Sequence, residues 1–522
     1  MIKRVAGISG ITFALVLVWK VALLVFTAQP IPANDSFFYD GAVVNELLHD
    51  NYVNPSLVNV LPISANEVYC AYPPLYHLAL FGWMKVSGTS ALSQMWFHVL
   101  LFGMFELVLL GIFRRLKIPA ACVNLAGLFL FSITFHDRPD SLAHVLGMAA
   151  VYAAICSRRS LDESAVESNR ARWTWIAVGL NVLTLCTSLQ IGGFYLVLIC
   201  LLHGLCRARG GEALPKLAII ATWLIPVGLV CAVMFGTPLL WAGFKEHAQL
   251  TPTFLGLHVP SGSDILKVIR TVPAILLAAV CIRWVKGQGG VKLSNPFLLV
   301  LVAGIASSLA VLAGAMTLLT ANLVAIPNYA QPLVVGSFLA IATGGNGEKK
   351  LPRPAVACSL ALTLLVSVRA IGMTTWGALC SRDVGYASAL SEVNKSLDAI
   401  LPHSKAVVSS AFLYEVAQRE NLHWIHSDWP SPPSSTNPDW VRDALVKMKP
   451  AALVLTQFDY YRRYEPVIIA LRNQPAIAAV TVRNFAKTPA PDSIPSVQKV
   501  VQHISWAPVV VELSWKQPAL TK

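Results

Sequence analysis

Two acidic clusters carry the residue types in this chain that can do chemistry. The first lies in a stretch without lysine or arginine between Lys20 and Lys85, which holds Asp35, Asp40, Glu46, Asp50 and Glu67 around the core Asn34-Asp35-Ser36-Phe37-Phe38-Tyr39-Asp40. The second, His136-Asp137-Arg138-Pro139-Asp140, lies much further along. A carboxylate such as Asp35 or Asp140 can take the proton of a hydroxyl as that oxygen attacks, and the guanidinium fork of Arg138 matches phosphate oxygens. Both clusters sit at the ends of apolar runs, so a fold that brings them to one face would build a site at a membrane surface.

The elements that must position them are membrane helices. The chain has 522 residues, 55% of them hydrophobic and 13% charged, with a mean hydropathy of +0.61, which excludes a water-soluble chain for most of its length. Apolar runs long enough to cross a hydrocarbon core of about 30 Å recur at Ile8 to Ala28, Gln94 to Phe113, Pro119 to Phe135, Ser141 to Ser157, Trp173 to Ser188, Ile191 to Leu205, Leu214 to Phe235, Val268 to Val285, Phe297 to Thr320, Ala330 to Thr343 and Ala355 to Trp376. The expected fold class is an α-helical polytopic membrane protein of about eleven transmembrane helices, with a C-terminal extracytoplasmic α/β domain.

The net charge of +13 does not point to nucleic acid, because its placement encodes topology. Lys3-Arg4, Arg114-Arg115-Leu116-Lys117, Arg158-Arg159 with Arg170 and Arg172, Arg207 with Arg209, Lys286 with Lys292, and Lys349-Lys350 with Arg353 lie in short loops between apolar runs and are placed in the cytoplasm. The acidic loop 29–71 and the His136 to Asp140 cluster then face outward. An odd number of crossings between that loop and Arg114 means that Tyr72 to Val86 and Gln94 to Phe113 cannot both span, so the short run Tyr72 to Val86 is expected to be re-entrant or to lie along the membrane; its Tyr72-Pro73-Pro74 opening and its Lys85 agree. Met1 to Ala28 is expected to be a retained first helix, with the N-terminus cytoplasmic, since no small-residue cleavage site precedes Gln29-Pro30. The ten cysteines form no CxxC pair, so neither a zinc site nor a disulfide framework is indicated; Cys70 and Cys380, both expected outside, are one pairing the topology allows.

After Trp376 the long apolar runs end, charges of both signs become frequent, and residues 377–522 read as a soluble extracytoplasmic domain distinct from the membrane domain 1–376. Helices are expected at Tyr386 to Ile400, Leu413 to Glu420, Trp440 to Met448 and Tyr461 to Arg472. Strands are expected at Ala406 to Ser410, Trp424 to His426, Ala451 to Thr456, Ala476 to Arg483 and Val509 to Trp515, giving a small α/β layer. No Gly-rich phosphate loop follows any of these strands, and no internal repeat is visible.

Three motifs in order carry a family resemblance: Asp35-Ser36-Phe37-Phe38-Tyr39 after the first helix, Tyr72-Pro73-Pro74-Leu75-Tyr76, and Arg138-Pro139-Asp140-Ser141-Leu142 opening a later helix. The chain resembles the GT-C glycosyltransferases, in particular the branch with protein O-mannosyltransferases and the aminoarabinose transferases that modify lipid A. The resemblance covers Met1 to Arg159 by motif and the remainder by layout. It implies a multi-spanning enzyme that takes a sugar from a polyprenyl-phosphate donor on the outer face. By position it places the family's first-loop aspartate on Asp35, its motif partner on Tyr39, the Pro-Pro pair on Pro73-Pro74 and the second acid on Asp140. Tyr72 stands where the lipid A branch has lysine, and Ser36 where it has glutamate, which puts the aminoarabinose donor in question but leaves the reaction type intact.

The residues agree with an inverting transfer. Asp35 is suited to be the general base and Asp140 the second acid, while the leaving phosphate needs positive charge more than a proton donor. Arg138, Lys85, Lys245 and Arg270 are candidates for that charge, and Tyr39 and Tyr72 for substrate contact. Asp40, Glu67 and Asp137 are candidates to help hold a divalent cation, Mg or Mn. Against these stand plainer roles: Asp35 and Asp140 as helix caps, and Arg138 as an ion-pair partner. His136 and His144 do not have metal-ligand spacing. Tyr329 and Asn328 are candidates for sugar contact. The expected partners are the lipid-linked donor, membrane lipids and a glycan, lipid or protein acceptor. Two alternatives are a transporter or lipid flippase, for which Glu106 inside an apolar run is the one strong feature, and a scaffold whose outer domain does the work.

Overall fold

The computed structural model describes residues 10–27, 39–54, 74–133, 135, 139–157, 167–207, 300–306, 326, 329–342, 386–400, 404–419, 423–426, 438–485 and 507–516, with isolated positions at 225 and 228 and between 357 and 376. The expected span at 268–285 lies outside these residues, and so does that at 214–235 apart from positions 225 and 228.

The described N-terminal part is a helical bundle. Helix α1 (Ile11–Thr27) is followed by the short α2 (Gly41–His49), α3 (Leu75–Ser87) and α4 (Ala91–Arg115). Then come α5 (Ala120–Gly127), α6 (Asp140–Cys156), α7 (Glu167–Leu185), α8 (Leu189–Arg207) and, much later, α9 (Gln331–Ala342). With 25 residues, about 37 Å at the usual helical rise, α4 is the one helix among the described residues that is long and apolar enough by itself to cross a membrane. It starts where Ser90 Oγ accepts from the Ser93 N–H, an N-cap, and ends on Arg114 and Arg115. The 13 residues of α3, about 20 Å long, are too short to cross a 30 Å core alone. Trp83 Nε1 on α3 donates to the Ser93 carbonyl of α4 at 2.8 Å, closing the turn between them, and Gly88 supplies the positive φ (92°) that the turn requires.

Helix α6 is the centre of the packing, touching α4, α7 and α8, while α1 lies on α4 and α5, and α9 on α5. Small residues permit these approaches. A Cβ on Gly147 of α6 would run into the Tyr195 ring of α8, and one on Gly336 of α9 into Phe113 of α4.

Two sequence expectations need correction. The run Pro119 to Phe135 is not one helix, since α5 stops at Gly127 and tightens into a 3₁₀ segment (Leu128–Ser132). At Gly127 a Cβ would collide with Thr12 and Phe13, so α1 presses closest at the break. Helix α6 begins at Asp140, one residue before the expected start, with Pro139 in the N-cap position. Asp140 is therefore a first-turn acid rather than a cap, favourable against the helix dipole.

The C-terminal residues form a five-stranded sheet, β1 (Lys405–Val408), β2 (His423–His426), β3 (Ala452–Thr456), β4 (Ile477–Asn484) and β5 (Pro508–Trp515), in the order β2-β1-β3-β5-β4. The β1–β2 and β1–β3 pairs are parallel, and β5 runs antiparallel to β3 and β4. Alternation of side chains divides the two faces. Val407, Leu453, Leu455, Val509 and Val511 pack under α12 (Pro438–Met448) and α13 (Glu465–Arg472), where they meet Val441, Leu445, Val467 and Leu471. Ala406, Val408, Val454 and Val510 on the other face belong to the same continuous apolar cluster as Val43 and Val44 of α2. Helix α10 (Tyr386–Asp398) and the five-residue α11 (Leu413–Ala417) lie on that side.

Candidate active site

The first acidic loop re-enters the described structure at Tyr39 and Asp40, where α2 begins. The Asp40 backbone carbonyl accepts the first helical bond from Val44 N at 2.9 Å, but its side chain does not cap α2. It is fully buried and turned toward three neutral donors. Gln94 Nε2 of α4 donates to Oδ2 at 2.6 Å, Tyr76 OH of α3 donates to Oδ1 at 3.3 Å, and Tyr414 OH of α11 donates to Oδ2 at 3.2 Å. A buried carboxylate is tolerated only when it is met in this way. Gly41 follows because a side chain there would collide with the buried Asn54, and Asn45 Nδ2 ties the loop after α2 back by donating to the carbonyls of Asn51 and Val53.

From Asp40 a hydrogen-bonded chain runs to the second cluster. Tyr76 OH lies 3.2 Å from His98 Nε2, and His98 Nδ1 lies 3.2 Å from Ser141 Oγ. Tyr76 has one hydroxyl proton; given to Asp40, it leaves the phenol oxygen to accept from His98 Nε2–H, and Nδ1 then accepts from the Ser141 hydroxyl. Ser141 is the residue after Asp140, so the chain connects the start of α2 to the first turn of α6. Tyr39 is buried with its ring edge-on to Tyr76, centroids 6.4 Å apart. Burial pushes the neighbouring His77 imidazole down to about 4, against a smaller raising effect from a backbone hydrogen bond with Tyr39, so His77 is neutral at physiological pH.

Of the residues singled out in the sequence, Tyr39 packs on Tyr76 of this network and Asp140 immediately precedes its last member, Ser141. Asp140 is half-buried. Lys85 does not join them: it is exposed, nine residues and about 13 Å along α3 from Tyr76, with its ammonium 5.6 Å from the centre of the Phe81 ring. Asp35, Tyr72, Arg138, Lys245 and Arg270 lie outside the described residues, as do Cys70 and Cys380. Tyr329, a candidate for sugar contact, stacks on His144 of α6 with centroids 3.6 Å apart and planes at 15°.

No family model and no curated protein matches the sequence. By structure, the chain is similar to ArnT from Cupriavidus metallidurans, solved with undecaprenyl phosphate bound, with a TM-score of 0.50 and 13% identity over 96% of this chain and 97% of that one. The chain carries the GT-C fold. An oligosaccharyltransferase from Archaeoglobus fulgidus, solved with a tethered acceptor peptide, aligns at a TM-score of 0.48 and 10% identity over 89% of this chain and 72% of that one. The arabinofuranosyltransferase AftD from Mycobacteria aligns at 0.43 and 12% identity over 97% of this chain and 40% of that one.

Within this GT-C fold the sequence left several network members unassigned. Gln94 and His98 are polar residues one turn apart in an apolar run, a readable signal of a buried polar face. Tyr76 stood only at the end of a quoted motif, and Tyr414 had no local signal. Among the described residues no group of three or more His, Cys, Asp or Glu side chains could hold a metal ion. Asp40, a candidate ligand of Mg or Mn, accepts hydrogen bonds from Tyr76, Gln94 and Tyr414, and Glu67 and Asp137, the other candidates, lie outside the described residues. Glu106, the feature favouring transport, interacts electrostatically with Lys20 of α1, whose ammonium also donates to the Ile133 carbonyl at 2.8 Å.

Proposed function

We propose that this chain is an integral membrane glycosyltransferase that moves a sugar from a polyprenyl-phosphate donor to a hydroxyl of a glycan, lipid or protein acceptor at the outer face of the membrane. The N-terminus is cytoplasmic and the C-terminal sheet extracytoplasmic in this reading. The observation that carries it is the Asp40–Tyr76–His98–Ser141 chain, which joins the loop bearing Asp35 to the helix start bearing Asp140.

Asp40 is enclosed and accepts three hydrogen bonds, so it has no open face for an acceptor hydroxyl. Asp35, five residues upstream, is the general base in this reading, and the half-buried Asp140 at the dipole-positive end of α6 is the second acid. The acceptor oxygen attacks the anomeric carbon as Asp35 takes its proton, the bond to the donor phosphate breaks, and the configuration inverts. The departing phosphate is met by Arg138, with Lys245 and Arg270 as further cations and Tyr39 and Tyr72 lining the substrate.

The test is transfer in membranes loaded with a panel of polyprenyl-phosphate sugars, comparing the native chain with Asp35→Asn at matched expression. Loss of a positioned base is expected to lower the rate by a factor of about 10² to 10⁴. Undiminished transfer by Asp35→Asn would move the base elsewhere, and no transfer from any donor would end the reading. The same assay with chelator reads any dependence on Mg or Mn.

A further inference from the structure

Asp40 is held from three directions, and one of them comes from the far end of the chain. Tyr414 lies 374 positions after Asp40, and its hydroxyl donates to Asp40 Oδ2 at 3.2 Å. Its helix, α11, has a second polar contact with α2, where His49 Nε2 lies 2.7 Å from the Ala417 carbonyl. All five residues of α11 are buried, Glu415 included. A short helix in a soluble layer normally shows water one face; α11 does not, because α2 and α10 pack against it. The loop that leads to it leaves the end of β1 through Ser409, whose hydroxyl donates to Asp459 and accepts from Thr456 N, tying β1 to the end of β3. The path from the sheet to Tyr414 is thus short and fixed at both ends.

We propose that Tyr414 is a positioning residue for the transfer, anchoring the C-terminal sheet to Asp40 and so fixing the outer loop on which Asp35 lies five residues upstream. This rests on the transfer reaction proposed above. The chemistry suits the role: the phenol ring is buried among apolar neighbours, and its hydroxyl gives a carboxylate oxygen a donor that phenylalanine cannot supply. Gln94 fixes the same oxygen from the membrane bundle. Asp40 is therefore the point at which the loop, the bundle and the sheet are held in one register.

The test uses the full-length protein in detergent or vesicles, with Tyr414→Phe, Asp40→Asn and the double variant. Tyr414→Phe keeps the ring, and its unfolding temperature is expected to stay within a few degrees of native. Its kcat is expected to fall about tenfold with donor KM unchanged, the size of one hydrogen bond to a charged group made where it matters for the transition state. Hydrogen exchange in Gly41–His49 is expected to quicken while β1 and β3 exchange as before. On the Asp40→Asn background Tyr414→Phe is expected to add no further loss, since both changes act through one bond. An unchanged kcat, unchanged exchange in α2, or fully additive losses would overturn the proposal. If the native protein transfers from no donor while α2 exchange still quickens in Tyr414→Phe, the anchor stands and the transfer reading alone falls.

Discussion

Glu415 sits beside Tyr414 and is buried with it, yet among the described residues its Oε2 has no hydrogen-bond partner. Burial pushes its carboxyl up from 4.5 to about 7, against the smaller opposing effects of its backbone hydrogen bond and Arg419. The folded protein therefore holds this proton more tightly than the unfolded chain. Its contribution to stability is fully present below about 4.5 and is lost as pH rises through about 7. The difference corresponds to about 3 kcal/mol at most. Glu415→Gln is expected to match the native protein near pH 5 and to exceed it in stability by roughly 1–3 kcal/mol at pH 8, read as thermal unfolding across that range; equal pH slopes for the two proteins would refute it. At this scale the sequence was informative in proportion to locality. Tyr39, Asp40 and Asp140 stood in acidic motifs, and Gln94 and His98 were polar interruptions of an apolar run. Tyr414 was unreadable because the bond that gives it meaning crosses 374 positions.

Elements were more legible than the bonds between them. The five expected strands are present with ends shifted by a residue or two, and the expected helices of the tail form. The strands β1, β3 and β5 divide their two faces between two apolar clusters, and α12 and α13 bury one face in one of them. The failures come where tertiary contact overrides the local pattern. Pro119 to Phe135 reads as one apolar helix, yet α1 pressing on Gly127 coincides with a change to 3₁₀. Ser409 reads as strand, but its hydroxyl is taken by Asp459 and the chain turns away after Val408. Gly147 gives the same physics a direct test. It lets α8 approach so closely that Tyr195 OH reaches His144 Nδ1 at 3.0 Å, with Tyr329 stacked on the same imidazole. Gly147→Ala, although it raises helix propensity, is expected to destabilise by about 1–3 kcal/mol through overpacking. Thermal unfolding in detergent measures this, and a stabilised variant would show that the α6–α8 contact yields easily.

At the scale of the whole molecule, a change of composition after Trp376 suggests an outer domain that can be considered separately, and its natural role would be acceptor choice. The packing leads to a different expectation. Ala406, Val408, Val454 and Val510 on one sheet face share an apolar cluster with α2 and the bundle, and Phe412, Leu413, Tyr414 and Val416 are buried on that same side. Removing residues 377–522 would expose that surface on α2 and take a donor from Asp40, leaving the first loop without its outer support. The expected result is loss of transfer to every acceptor, with α2 rapidly exchanging, rather than transfer redirected to a new one. Acceptor selection by a separable module predicts the reverse: a truncated protein that still consumes donor and differs only in what it modifies. Donor consumption, followed as release of polyprenyl phosphate with water or any hydroxyl compound as acceptor, separates the two. Retained consumption would make the sheet an acceptor filter, whereas its loss together with faster exchange in Gly41–His49 would make the sheet a structural part of the catalytic centre, since the bond from Tyr414 to Asp40 ties it to the loop proposed to carry the base.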